Sequence, residues 1–324
     1  MTLARADRTP RSPAAPRATA ASTDVRSAKR RQRLKSQLVA WAFVAPLVAY
    51  LAAFYVYPLY RNLDLSLHHY TVRSFVSGGA PFAGLDNFRT VFDDPTFWPA
   101  IRNTFVFTLV SIAFQYSAGL ALAVFFSRRF RLSGVLRALF LIPWLLPLIV
   151  SSSTWAWMMN SESGFLNYAL HFLGIGPVDW LTSPTWALAS VIIANIWIGI
   201  PFNLVILHSG LQNIPPDLYE AAAIDGAGPW QRFRRITFPL LRPVSAIVLL
   251  LGFVYTLKVF DLIWIMTKGG PSDASTTLAT WSYRLGFGSL LPKFGPGAAV
   301  GNILILIALV FGLLYIRVQR RQQA

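Results

Sequence analysis

At 324 residues, 55% hydrophobic and 13% charged, with mean hydropathy +0.50, the chain is too apolar for a soluble domain of its length and falls in the polytopic membrane class. The net charge of +16 does not signal nucleic acid, because ten of the 29 Lys and Arg residues precede the first apolar run and the rest cluster beside later ones. Cysteine is absent, which removes a disulfide framework, a thiolate metal site and a cysteine nucleophile.

Residues 1–36 are rich in Ala, Arg, Pro, Ser and Thr without apolar periodicity and are expected to form a disordered basic tail. The apolar run behind them is too long for a signal-peptide core. The Arg- and Ser-rich, acid-poor composition also fits a transit peptide, but a solvated tail near anionic lipid is the plainer expectation.

A bilayer core of about 30 Å needs roughly 20 apolar residues in helical form, since lipid offers no partners for backbone N–H and C=O groups. Six runs meet this: approximately Leu38–Tyr60, Thr104–Phe126, Val135–Met159, Trp186–His208, Val244–Met266 and Gly297–Ile316. The expected fold class is all-α, a polytopic membrane protein of six transmembrane helices. Residues 37–103 would be the first helix and a long outer loop, 104–317 the core with helices two to six and a loop at 217–239, and 318–324 a short tail.

The tail before the first run, the segments 127–137 and 209–242 and the C-terminal tail carry 21 Lys and Arg residues, against seven on the opposite side. The positive-inside rule therefore predicts cytoplasmic termini and a cytoplasmic 217–239 segment in a multi-pass cell-membrane protein. Trp98, Trp180, Trp186 and Trp281 fall near the outer span ends, as an aromatic belt predicts.

Within "IPPDLYEAAAIDGAGPWQRFRRITFPLLRP", Asp217 followed by Glu220 predicts a capping box, and Leu218–Ile224 barely two helical turns. Asp225-Gly226 supplies a left-handed C-terminus, Pro229 suits the first turn of a second helix, and that helix should stop at Pro239. Ala221–Ala223 leaves the first helix open to close approach by another surface, or to a plain resting place at the headgroups.

Polar residues inside the spans are few. Lys258 and Asp261 are spaced for an i,i+3 pair on one helix face; they either form a structural ion pair or line a path through the membrane. Gln115, Asn195 and Asn203 fit helix-to-helix hydrogen bonds and substrate contacts equally. Pro143, Pro147 and Pro201 should bend or break spans three and four. No G-x-x-x-x-G-K-[ST] phosphate loop, H-E-x-x-H or G-x-S-x-G motif occurs, and His68, His69, His171 and His208 lack metal spacing, so neither an ATPase, a metal site nor a cofactor is expected.

Glu220-Ala221-Ala222, three residues, Gly226, nine residues, then Ile236-Thr237-Phe238-Pro239 resembles the EAA loop, E-A-A-x3-G-x9-I-x-L-P, of permeases in binding-protein-dependent ATP-binding-cassette importers, with Phe238 in place of the usual Leu. "YPLYRNLDLSL", "FAGLDNFRTVFDDPTFWPAIRNT", "RALFLIPWLLP", "SGLQNIP" and "FDLIWIMTKGGP" look like the sugar and polyol subgroup, and the six spans with a long first outer loop resemble its A-type (maltose/glycerol-phosphate) partner. The resemblance implies a type I importer permease fold. It further implies that Glu220, Ala221, Ala222, Asp225, Gly226, Ile236 and Pro239 form a coupling helix and its support, docked on a cytoplasmic ATPase dimer. The other implied partners are a second homologous permease, an extracytoplasmic solute-binding protein and the lipid bilayer. The reading that competes with it is an ion-gradient-driven secondary transporter; an intramembrane enzyme lacks any catalytic constellation.

Overall fold

A computed structural model describes residues 37, 40–128, 130–288 and 290–323; among them the regular structure is helical, with one isolated bridge between His68 and Phe82. The expected basic tail, 1–36, lies outside the described residues.

In chain order, α1 is Ala40–Ser66, followed by the short helices α2 Val72–Ser77 and α3 Asp86–Asp93. Then come α4 Phe97–Phe126, α5 Ser133–Leu145, α6 Leu148–Met158, α7 Phe165–Phe172 and α8 Ala187–Gln212. The chain continues through α9 Pro216–Ile224, α10 Pro229–Leu257, α11 Asp261–Met266, α12 Leu278–Phe287 and α13 Phe294–Gln323.

Five of these helices are long and apolar enough to cross a membrane, and α5 with α6 makes a sixth, broken one. The third run is therefore not a straight span: its halves meet at 93°. Leu146 is extended (φ −69°, ψ 142°) because the ring of the following Pro147 disfavours helical backbone at the residue before it. Pro143 and Pro201, in contrast, lie inside unbroken helices.

The fifth run also differs from expectation. Its helix ends at Leu257, Lys258 leaves helical backbone, and α11 starts anew at Asp261. At the other end α10 begins at Pro229 and runs through Pro239, where a stop was expected. A π turn over Phe233–Thr237 widens the backbone two residues ahead of that proline, relieving the clash between its ring and the preceding carbonyls. The same device recurs in α1, where Ala52–Val56 forms a π turn two residues before Pro58. The second span starts at Phe97 rather than Thr104, and α13 continues to Gln323, through the residues expected to form a tail.

Two compact units divide the chain between Tyr60 and Arg61. In the first, no residue of Ala40–Tyr60 is buried, and Phe43, Phe54 and Tyr55 are among its exposed rings. In the second, α4 and α8 form the central pair, with α10 and α5 against them. Two reciprocal close approaches hold that pair. A Cβ on Gly199 would lie 2.3 Å from the Gln115 amide carbon, and one on Gly119 would lie 2.5 Å from Asn203 Cβ. Each helix thus offers a glycine to the other's amide side chain, four residues apart on both.

One apolar cluster, around Phe107, Val191 and Ile263, joins α4, α8 and α11; another, around Phe126, Leu207 and Leu241, gathers α4, α8 and α10. A third packs Phe97, Trp281 and Val300. Trp281 is 1% exposed, so it serves this core and not the expected aromatic belt, whereas Trp98 is 71% exposed. Asn62, at the C-terminal end of α1 within the second unit, donates to Asn302 Oδ1 of α13 (2.7 Å), and Asn302 donates to Ser66 Oγ (2.9 Å).

Candidate functional site

The segment after α8 folds as two helical pieces about a glycine. The capping box expected from Asp217 and Glu220 does not form. The helix starts two residues earlier than Leu218, Pro215 occupies the N-cap position with no side-chain acceptor, and Asp217 lies inside the first turn. Pro216 at the first position costs nothing, since its missing N–H would have had no helical partner.

At the other end the expected left-handed glycine is present: Gly226 has φ +75°. Gly226 N donates to Ala223 O (3.1 Å) and Ala227 N to Ala222 O (2.8 Å), the two bonds of a Schellman closure. Gly228 N then donates to Gln231 Oε1 (3.0 Å) at the start of α10.

Glu220, Ala221, Ala223 and Asp225 are exposed and Ala222 half-buried, so α9 presents small side chains and one carboxylate outward. Ile224, 87% exposed, and Trp230, 69% exposed, flank that surface. Trp230 stacks on Phe233 at 5.6 Å. Ile236 faces inward against the Phe126–Leu207 cluster, and Pro239 sits in the helix behind the π turn. Tyr219 is a residue that the sequence reading passed over. Its hydroxyl lies 3.0 Å from Thr237 Oγ1, fastening α9 to the π turn of α10 across 18 positions. Nothing local in the sequence marks that pairing, although Tyr219 is the only aromatic on α9.

A second feature lies within the helix bundle. A cavity of about 420 Å³ is lined by Gln115, Asn195, Gly199, Thr256 and the rings of Trp144, Phe202 and Tyr255. Gln115 Nε2 donates to Asn195 O (2.8 Å), and Asn195 Nδ2 is buried without a partner. Gln115 and Asn195 are thus brought together as expected of polar groups inside spans. Asn203 is not with them: its amide donates to Gly199 O of its own helix (2.9 Å) and faces Gly119 at the helix crossing.

Lys258 and Asp261 do not pair on one helix face, because the helix breaks between them. Lys258 Nζ instead lies 5.2 Å from the centre of the Tyr255 ring, and Asp261 occupies the first turn of α11, where a carboxylate suits the helix dipole.

The turn after α11 is closed by side chains. Lys268, Gly269, Ser272 and Asp273 all have positive φ. Asn103, wholly buried, donates to the carbonyls of Asp273 (3.2 Å), Ala274 (3.1 Å) and Thr276 (3.1 Å). Asp273 pairs with Arg284 (2.5 Å) and accepts from Thr276 Oγ1 (2.8 Å). Burial alone would raise the Asp273 carboxyl, but the Arg284 guanidinium and the hydroxyls of Thr276 and Thr96 outweigh it and hold the group below its ordinary 3.8.

Comparison with known proteins gives one family and close relatives. Residues 115–323 match the family described as "Binding-protein-dependent transport system inner membrane component". The "Trehalose/maltose transport system permease protein MalF" of Thermococcus litoralis is 37% identical over 86% of this chain and 93% of its own length. The "Lactose transport system permease protein LacF" of Rhizobium radiobacter is 34% identical over 87% and 94%. In the crystal structure of "a bacterial ABC transporter involved in the import of the acidic polysaccharide alginate", one chain superposes with TM-score 0.77 at 25% identity, covering 90% of this chain and 99% of that one.

Proposed function

The chain belongs to the family of inner membrane components of binding-protein-dependent transport systems, and from that premise we propose that it forms half of the translocation path of an ATP-driven importer for a carbohydrate or polyol-type solute. Family membership removes the ion-gradient-driven alternative. A second homologous permease supplies the other half, an extracytoplasmic binding protein delivers the solute, and a cytoplasmic ATPase dimer hydrolyses ATP. Both termini and α9 face the cytoplasm, in keeping with the excess of Lys and Arg on that side.

The observation that carries the proposal is α9 itself. A nine-residue helix is too short to be stable alone. It is held from behind by Tyr219 and closed by Gly226, while Glu220–Ala223 stay open to a partner. An ATPase cleft would receive that face, with Glu220, Ala221, Ala222 and Asp225 at the contact, and Gly226, Ile236 and Pro239 setting its attitude. The carbohydrate assignment is supported by the names of the relatives and by the cavity chemistry. Flat rings offer stacking surfaces to a sugar, and Gln115 with the unpartnered Asn195 amide offers hydrogen bonds to hydroxyls.

The test is reconstitution with the ATPase and second permease that co-purify with this chain, with radiolabelled maltose as one probe among common oligosaccharides. Uptake should require ATP and the binding protein. Ala221→Arg should release the ATPase during co-purification while leaving the permease pair intact. Retention of the ATPase with undiminished uptake would remove α9 from the coupling role.

A further inference from the structure

At the root of α9 the ends of α4, α5 and α8 enclose a cleft of about 770 Å³ with no carboxylate among its lining residues. Arg128 comes from the end of α4, Arg137 from α5, His208 from α8 and Arg232 from the first turn of α10, with Tyr219 and Thr237 closing the side toward the coupling loop. His208 is 6% exposed, and Arg137 Nη1 lies 3.2 Å from its Nε2. None of the salt bridges among the described residues reaches these arginines. Arg232 Nε is buried with no hydrogen-bond partner.

A buried donor on a charged group that lacks an acceptor is destabilising, and several cations converging without a counter-charge repel one another. An anion entering the cleft supplies the counter-charge that these cations lack. Guanidinium groups present planar forks that match a tetrahedral phosphoryl oxygen set better than a single point charge would. The chain's own residues 1–36 are a poor occupant, since they carry ten Lys and Arg against two Asp.

We propose that this cleft binds a phosphoryl group, held between Arg137 and Arg232 with Arg128 at the mouth, and that its occupancy ties α10 to α4, α5 and α8 beside the coupling helix. The group arrives either on an anionic phospholipid of the adjacent leaflet or on a soluble phosphoester. Binding rests on the cleft alone; only an effect on uptake rests on the importer reading, so binding without uptake would count against that reading and not against the site.

The full chain, purified with its partners, is placed in phosphatidylcholine nanodiscs with or without phosphatidylglycerol. Retained phosphatidylglycerol is counted by native mass spectrometry, and inorganic phosphate is titrated in the phosphatidylcholine discs by thermal shift. Retention of the lipid without a phosphate response identifies the lipid source; a saturable phosphate response identifies the soluble one. In either case the Arg137→Gln/Arg232→Gln pair should weaken binding by about tenfold or more, the scale of one lost charge-assisted hydrogen bond. Arg234→Gln/Arg235→Gln removes the same charge from exposed neighbours outside the cleft and should leave binding unchanged. Should the first pair fail to fold, Arg232→Lys keeps the charge but removes the orphan Nε, and should itself weaken binding. Absence of binding to either probe, equal loss in the two pairs, or undiminished binding in Arg232→Lys would overturn the assignment.

Discussion

Gly226 shows how much of the α9–α10 connection a single backbone angle carries. A Cβ there meets nothing within 4 Å, so space is not the constraint; the constraint is φ +75°, which side chains adopt at a cost of about 1–2 kcal/mol. Gly226→Ala should therefore lower the thermal midpoint slightly and impair ATP-dependent uptake, while Gly226→Asn, which tolerates that backbone, retains most of both. Equal behaviour of Ala and Asn variants would place the role of Gly226 elsewhere. Asp273 carries a pH prediction of definite sign. Its carboxyl is held below 3.8, so its pairing with Arg284 stabilises the 268–276 turn at and above that pH and is lost as pH falls through the lower folded value. Asp273→Asn should remove that acid-side dependence from hydrogen exchange of residues 268–276, and an unchanged profile would show the pairing to be idle. Residue-scale chemistry was partly readable in advance. Asp225-Gly226 announced its turn, whereas the Tyr219–Thr237 and Asn103–Thr276 contacts join positions too far apart for any local pattern to reveal.

Among the elements, periodic apolar runs located the membrane-crossing helices well, because their length is set by the bilayer. The prolines of Val135–Met159 marked that run for a bend or break, and it bends by 93° at Pro147, although nothing in the run said which proline would do it. Val244–Met266 read as a uniform span, yet its helix breaks at Lys258. Three internal prolines looked alike in sequence, and only Pro147 broke its helix; Trp281 looked like a belt residue and is core. The α4–α8 contact supplies the element-scale prediction. Gly199→Ala forces its new methyl against the Gln115 amide, and such overpacking costs about 1–3 kcal/mol. The thermal midpoint should fall, and adding Gln115→Ala should restore part of it, as expected for residues in direct contact. No recovery in the double variant would mean that the two helices are not held at this crossing.

At the scale of the whole molecule, one helix joins the neighbourhood of α9 to the cavity. α10 begins at Trp230's neighbour Pro229, passes Thr237, which fastens it to Tyr219 of α9, and ends with Tyr255 and Thr256 on the cavity wall. Its π turn lets Pro239 sit within it without a joint. A helix of 29 residues is roughly 44 Å long. In the proposed coupling role it would act as a stiff lever: a five-degree tilt imposed at the α9 end would move the far end by about 4 Å, close to the breadth of a methyl group. Had Pro239 made a hinge, the same push would have been spent in flexing the joint. On the proposed coupling, the widened turn would let a small displacement at one end of the helix arrive undiminished at the other.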